Sequence, residues 1–286
     1  MITATKISEV RNTVREWKQQ GFTVGLVPTM GYLHEGHASL VDYASAMCDK
    51  VVVSDFVNPT QFSPTDDLEA YPRDFEHDCE ILRKHNCDMV FYPSVDEMYP
   101  DGNGKTDTYV EIFNDMTSQL CGKSRPGHFR GVCTVVAKLF NIVTPDKAFF
   151  GEKDAQQLAV IKRMARDMSY GTEIVGCPIV READGLAKSS RNTYMNVAER
   201  KAAQVLYRAL QAGKNAIDSE EKNSNKITDI IQEVIDSEPM AVTDYVSVVD
   251  GITMMPIDKI SDGTLIAIAV YIGKTRLIDN FTYHSR

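Results

Sequence analysis

A chain of 286 residues with 43% hydrophobic and 25% charged side chains can bury one large core or two ordinary ones, and its makeup is that of a water-soluble globular protein. Its net charge of −9 excludes a global attraction to nucleic acid or anionic lipid, so a phosphate-bearing ligand needs positive charge gathered locally. No run approaches the roughly 20 apolar residues of a membrane helix. The first residues carry Lys6, Arg11, Arg15 and Glu16 in place of the apolar stretch of a secretory signal, which predicts a cytoplasmic protein. The cysteines at 48, 79, 87, 121, 133 and 177 form no C-x-x-C pair, and reduced, buried thiols are expected.

In chain order, Ile7, Val10, Val14 and Trp17 recur at helical spacing, and Gly21 follows as a stop. Residues 22–28 read as a strand, 29–36 as a loop, and a helix runs from His37 with Leu40, Val41, Ala44 and Met47 on one side. Residues 51–57 read as a buried strand, Phe75, Cys79 and Leu82 mark a helix ending near Asn86, and 89–92 form a strand. The stretch 99–125 is irregular, with a turn signal at Asp101-Gly102-Asn103-Gly104. A helix at 128–143, a strand at 147–150, a helix at 155–168 and a strand at 172–180 follow. Strands alternating with helices of about 10–15 residues imply βαβ units. Residues 1–180 are therefore expected to form a Rossmann-like, doubly wound α/β domain with a parallel sheet. After it come a long polar-faced helix at 198–217, a charged linker-like stretch at 219–226, a helix at 227–235, and strands near 242–249 and 265–272. That pattern predicts a smaller C-terminal α+β domain over 181–286.

Five segments carry residues suited to chemistry. The first, 28–37, holds Gly31, His34, Gly36 and His37 between a strand and a helix. A helix start at a strand end offers N–H groups and a positive dipole end to phosphate, and two imidazoles three residues apart can donate to oxygens that gain charge. The competing readings are a zinc pair, which lacks further ligands, and two solvent-exposed loop histidines. The second segment is Gly151-Glu152-Lys153-Asp154, where Lys153 can reach phosphate and Asp154 can cap a helix, or which is an ordinary helix start. The third, Lys188-Ser189-Ser190-Arg191-Asn192, is either a phosphate clamp or a polar surface turn. In the fourth, Asn58 and Gln61 are neutral hydrogen-bonders suited to a small polar substrate, with a proline turn at Pro59 as the alternative. The fifth, 122–132, reads as a flexible basic loop, either a lid or anion site or a solvated loop at an oligomer contact.

Taken in series, these motifs resemble a known family. The H-x-G-H element from His34 to His37, with Lys188-Ser189-Ser190-Arg191 downstream, resembles the nucleotidyltransferase superfamily that includes class I aminoacyl-tRNA synthetases. Adding Pro28-Thr29-Met30-Gly31, Phe56-Val57-Asn58-Pro59, Gln61-Phe62, Tyr71-Pro72-Arg73, Arg125-Pro126-Gly127-His128-Phe129, Gln156-Gln157 and Asp184-Gly185-Leu186-Ala187 narrows it to the pantoate–β-alanine ligase family. The resemblance runs from about residue 7 to residue 200 and is looser beyond. It implies condensation of pantoate with β-alanine through a pantoyl-adenylate, with ATP and Mg²⁺ consumed or required and AMP and pyrophosphate released. It implies His37, His34 and Lys153 as catalytic residues. ATP would be bound by Met30, Gly31, His34, Gly36, His37, Gly151, Glu152, Lys153, Asp154, Val180, Lys188, Ser189, Ser190 and Arg191. Pantoate and β-alanine would be held by Gln61, Gln157 and Asn58, the protein would be a homodimer, and the 181–286 domain would close over the site. The metal's ligands are not assigned. The alternative is a nucleotidyltransferase that adenylates another small acid. Asp55 and Thr60 depart from the family pattern, which has apolar residues there, and Asp55 is expected at the open end of its strand.

Overall fold

The computed structural model describes residues 1–63, 68–102, 104 and 106–285. In chain order these form β1 (Ile2–Ala4), α1 (Ile7–Gln19), β2 (Val24–Thr29), α2 (Glu35–Met47), β3 (Lys50–Asp55), α3 (Phe75–Lys84), β4 (Met89–Phe91), α4 (Val95–Met98), α5 (Leu120–Ser124), α6 (His128–Val143), β5 (Lys147–Gly151), α7 (Ala155–Asp167), β6 (Glu173–Cys177), α8 (Val197–Ala202), α9 (Val205–Asp218), α10 (Ser224–Asp236), β7 (Ala241–Asp250), β8 (Thr264–Ile272) and β9 (Thr275–Tyr283). They separate into two compact units. One comprises Met1–Phe113, Arg125–Glu152 and Val160–Pro178, the other Asn114–Ser124, Lys153–Ala159 and Ile179–Arg286.

The first unit is built on a parallel sheet in the order β1-β4-β3-β2-β5-β6. Val27, Val51, Val53, Val90 and Phe149 pack against Leu40, Val41 and Ala44 of α2 and Cys79 and Leu82 of α3. Leu26, Val52 and Met89 alternate with them and point to the other face, and all are fully buried. Burial on both faces is why these strands read as continuous apolar runs. The chain winds from β2 to β3 on one side of β2, while β5 lies on its other side. The ends of β2 and β5 therefore flank the topological switch point, where doubly wound sheets bind ligands.

The second unit carries the antiparallel sheet β7-β8-β9. Ile266, Ile268, Val270 and Ile272 alternate along β8 and pack on Leu206 and Leu210 of α9 and Ile227 and Ile231 of α10. Each such side chain contributes roughly 1.5–3 kcal/mol by leaving water.

The structure corrects the sequence reading in several places. The single helix expected over 198–217 is two, α8 and α9. Bonds from Gln204 N–H to Lys201 O (3.3 Å) and Leu206 N–H to Ala203 O (3.2 Å) tighten the chain between them. That turn buries Ala202, Ala203, Val205 and Leu206 together, more than one helical stripe accommodates. The linker expected at 219–226 shrinks to a turn, because Asn223 caps α10 by accepting from Lys226 N–H. The strand expected to reach residue 180 stops at Cys177, before Pro178, which has no N–H to donate. Strands β1 and β9 were not expected. In β9 the buried Asp279 and Asn280 interrupt the apolar pattern. Of the turn signal at 101–104, Gly102 and Gly104 have positive φ, and Asn103 lies outside the described residues. All six cysteines are free, five of them buried and Cys121 half-buried. Burial pushes the Cys87 and Cys133 thiols up to about 12, where they are unreactive. Among the described residues no helix is long and apolar enough to cross a membrane.

Candidate active site

At the end of β2 the chain makes a sharp loop into α2. Gly31 and Tyr32 both take the left-handed conformation, with φ of 78° and 50°. For Tyr32 that conformation is strained by about 1–3 kcal/mol and needs outside support. His34 is the N-cap of α2 and His37 its third residue, and each braces the other. His34 Nδ1 accepts from Gly36 N–H at 3.1 Å, and His37 Nδ1 accepts from His34 N–H at 3.3 Å. A ring nitrogen that accepts carries no proton, so in the neutral rings both protons sit on Nε2. The rings lie side by side, 4.1 Å between centroids.

This cap changes what the loop offers. The N–H groups of His37 and Ala38 bond to His34 O, that of Gly31 to Thr29 Oγ1, and those of Tyr32 and Leu33 to Asp78. The expectation of open backbone N–H groups is therefore corrected at these positions. The side-chain donors of the loop are the imidazole Nε2–H groups. The expectation for Gly31 shifts too, since a Cβ there would fall on Asp55 Oδ1. The glycine is required by what lies beneath the loop.

Asp55 closes β3, 4% exposed, as expected for a charge at the open end of a strand, and Asp78 of α3 is 1% exposed. Asp78 accepts from Tyr32 N–H at 2.7 Å and Leu33 N–H at 2.6 Å. Burial first, then the Asp78 charge and a hydrogen bond to Asp78, raise the Asp55 carboxyl to about 7. Both aspartates line a cleft of about 200 Å³ together with Met30, Gly31 and Arg73.

After β3 the chain enters a short 3₁₀ turn, Pro59–Gln61. Asn58 is 1% exposed and its amide is fully engaged. Oδ1 accepts from Tyr99 OH (2.7 Å) and Thr60 Oγ1 (3.0 Å), while Nδ2 donates to Gln61 Oε1 (3.0 Å) and Gly131 O (3.3 Å). Asn58, expected to touch substrate, is buried and bonded to Gln61. With Gln61 Oε1 held, Nε2 is turned toward Met30, whose Sδ it meets at 3.2 Å. Sulfur is a weak acceptor that a carboxylate or hydroxyl readily displaces. Helix α6 presses against this turn so closely that a Cβ at Gly131 would fall on Thr60 O.

The basic loop expected over 122–132 is mostly helical, leaving only Arg125, Pro126 and Gly127 between α5 and α6. His128 Nδ1–H donates to Gln61 O at 2.9 Å, and Arg125 Nη1 lies 3.2 Å from His128 Nε2. These side chains tie the segment to the Gln61 backbone, and it is mostly helix in place of the flexible loop expected.

At the end of β5, Gly151 opens onto free space, and the 3₁₀ turn Glu152–Asp154 leads into α7. Asp154 is the last residue of that turn, directly before α7. In the second unit, Lys153 is half-buried, and its ammonium has no carboxylate partner among the described residues. Gln156 is buried, spending its amide on Cys121 N–H, Met116 O and Gln119 O, whereas Gln157 is half-buried with no side-chain bond among the described residues. Val180 O accepts from Lys188 N–H (2.9 Å), so residues 180–188 fold back on themselves. Ser189 then caps the 3₁₀ turn Ser190–Tyr194, where Arg191 sits. The unexpected strand β9 joins these pieces. Asn280 Nδ2 donates to Lys153 O (2.8 Å), and Asp279 takes a two-pronged bond from Arg181 (2.7 and 2.9 Å).

The first unit thus gathers Met30, Gly31, His34, Gly36, His37, Asn58, Gln61, Gly151 and Glu152 around the ends of β2, β3 and β5. The second carries Lys153, Asp154, Gln157, Val180, Lys188, Ser189, Ser190 and Arg191. Sequence reasoning missed Asp78, Tyr99, His128, Arg181, Asp279 and Asn280 as supports. Their only local signal is a polar side chain in an apolar element.

Comparison with known proteins follows the same residues. A family profile described as pantoate-beta-alanine ligase matches residues 2–282. A pantothenate synthetase of Clostridium botulinum (strain Kyoto / Type A2) is 54% identical over 277 residues, covering 97% of each chain. The crystal structure of pantothenate synthetase from Thermus thermophilus superposes with a TM-score of 0.94 at 42% identity over 100% of both chains. That of pantoate-beta-alanine ligase from Francisella tularensis, complexed with beta-gamma ATP and beta-alanine, has a TM-score of 0.81 at 36% identity over 99% of this chain and 97% of that one.

Proposed function

The chain belongs to the pantoate–β-alanine ligase family, and from that premise we propose that it joins pantoate to β-alanine through a pantoyl-adenylate, using ATP. The observation that supports this reading is the reciprocal His34–His37 cap at the end of β2, which fixes two imidazoles with their protons on Nε2 at the switch point of the sheet. Adenylyl transfer needs positioning and charge stabilisation more than a covalent nucleophile.

In the first step a pantoate carboxylate oxygen attacks the α-phosphorus of ATP, and the bond to pyrophosphate breaks. His37, with His34 beside it, donates to the phosphate oxygens as charge builds. Met30, Gly31, Gly36, Gly151, Glu152, Asp154 and Val180 line the nucleotide site, and Lys153 with Lys188, Ser189, Ser190 and Arg191 neutralises the phosphates. Gln61, its amide fixed by Asn58, donates to pantoate, and Gln157 is the second contact. In the second step the β-alanine amine attacks the acyl carbon and AMP leaves. Mg²⁺ enters as the partner of the ATP phosphates, its usual role with nucleotides, and no residue of this chain is assigned to it. Residues 1–180 and 181–286 are the working domains of this reading, which also places the enzyme in the cytoplasm as a homodimer.

The test is incubation with ATP, Mg²⁺ and pantoate, then β-alanine, with products followed by mass spectrometry. Pantothenate with AMP is expected. Equal pyrophosphate release from other small acids in place of pantoate would move the substrate assignment to another acid on the same chemistry.

A further inference from the structure

The Asp55–Asp78 pair has no part in the mechanism above, yet it lies directly beneath the loop that carries it. Two carboxylates cannot hydrogen-bond to each other without a proton between them. Asp55 Oδ1 and Asp78 Oδ2 both lie under Gly31, and both Asp78 oxygens already accept, from Tyr32 N–H at 2.7 Å and Leu33 N–H at 2.6 Å, so a proton held between the two carboxyls belongs to Asp55. Gly31 sits on the pair, where a Cβ would fall on Asp55 Oδ1 and lie 3.2 Å from Asp78 Oδ2. The residues so held, Gly31 and Tyr32 with positive φ and Leu33 after them, lead straight into the His34 cap.

We propose that Asp55 is a positioning residue for the nucleotide site: as a neutral acid it donates to Asp78, and Asp78 in turn holds the Gly31–Leu33 segment in the conformation that sets His34 and His37. Loss of the Asp55 proton replaces that hydrogen bond with two adjoining negative charges in a buried space, and the loop loses its brace. Burial and the neighbouring charge place this proton loss near neutral pH. Among the described residues, titratable groups near the pair include Arg73 and Asp74 on the cleft wall, Tyr92 beyond β4, His77 at 3.4 Å from Asp78 Oδ1, and Cys79. None of them lies between Asp55 and Asp78. The inference rests on the functional reading above for its activity readout, but not for its binding readout.

The experiment compares the wild-type protein with Asp55→Asn and Asp55→Ala from pH 6 to 8.5. Asparagine keeps an N–H donor toward Asp78 and cannot ionise, and alanine removes the donor. KM for ATP in pantothenate formation and Kd for ATP by calorimetry are both measured, with circular dichroism to verify folding. The wild type is expected to lose ATP affinity by about tenfold across the range, the scale of one hydrogen bond to a charged group. Asp55→Ala is expected to be weak throughout, and Asp55→Asn to restore affinity relative to alanine with a flattened pH dependence. If Asp55→Asn keeps the wild-type pH dependence, the titration belongs to another group, such as His77 or the histidine cap, and the proposal fails. It fails equally if folded Asp55→Ala binds ATP like the wild type. ATP binding that follows Asp55 without any pantothenate formed would instead overturn the functional reading and leave the positioning role standing.

Discussion

The two loops that follow β2 and β3 are braced in opposite ways. The loop after β2 rests on groups that titrate: a carboxyl pair beneath it and two imidazoles within it. The turn after β3 is centred on a neutral amide, with His128 and Arg125 holding the Gln61 carbonyl. Asn58 has no ionisable atom, and burial pushes its partner Tyr99 up to about 12. The loop after β2 thus rests on a carboxyl pair that loses a proton near neutral pH, while the side-chain brace of the turn after β3 is centred on an amide that cannot ionise. Charge must develop and be met at the first, whereas the second needs only a fixed orientation.

The largest effect should come from the charge-bearing loop. His37→Ala is expected to lower adenylation by roughly 10²–10³, the cost of one donor to a developing charge, and Lys153→Ala by a similar factor. Pyrophosphate release checks both, and near-normal rates in folded protein would remove these residues from the mechanism. Asn58→Ala should act through stability, since it strands the buried Tyr99 hydroxyl and the Gln61 amide. A loss of about 2–4 kcal/mol in urea unfolding is expected, with a raised KM for pantoate. Both changes should be the same at pH 6 and pH 8.5, and a pH-dependent loss would blur the contrast between the two ends.

Asp55 supplies the complementary test by stability alone. Its folded pKa, about 7, lies above the ordinary carboxyl value of about 3.9. A raised acid contributes stability that is complete below about pH 4 and is lost as pH rises through about 7. Wild-type unfolding free energy should therefore fall over that window by on the order of 1–3 kcal/mol more than that of Asp55→Asn. Parallel curves for the two proteins would show that Asp55 does not hold its proton. An effect of the same order is expected for Gly131→Ala, where the added methyl meets the Thr60 carbonyl. Overpacking there should cost roughly 1–3 kcal/mol in a thermal or urea melt and shift KM for pantoate but not for ATP.

Much of this molecule is legible from the chain alone. Apolar strands alternating with amphipathic helices specify a parallel sheet wound on both faces, because only burial on both sides suits strands without a polar face. Strand-end placement then singles out His34, His37, Gln61 and Lys153 as the candidates for chemistry, since such folds bind ligands there. What the chain could not reveal is how those residues are held. The imidazole tautomers depend on a cap formed by two side chains and their own backbone. The role of Asn58 depends on a tyrosine 41 residues away, and the bracing of Gly31 and Tyr32 on carboxyl groups from β3 and α3. Strand β9 was hidden because its buried polar residues find partners in Arg181 and in the Lys153 carbonyl, far off in sequence. Periodicity records which side chains leave water. Which hydrogen-bond partner a buried polar group finds is settled only when distant segments meet, and in this protein those partners decide how the site is set.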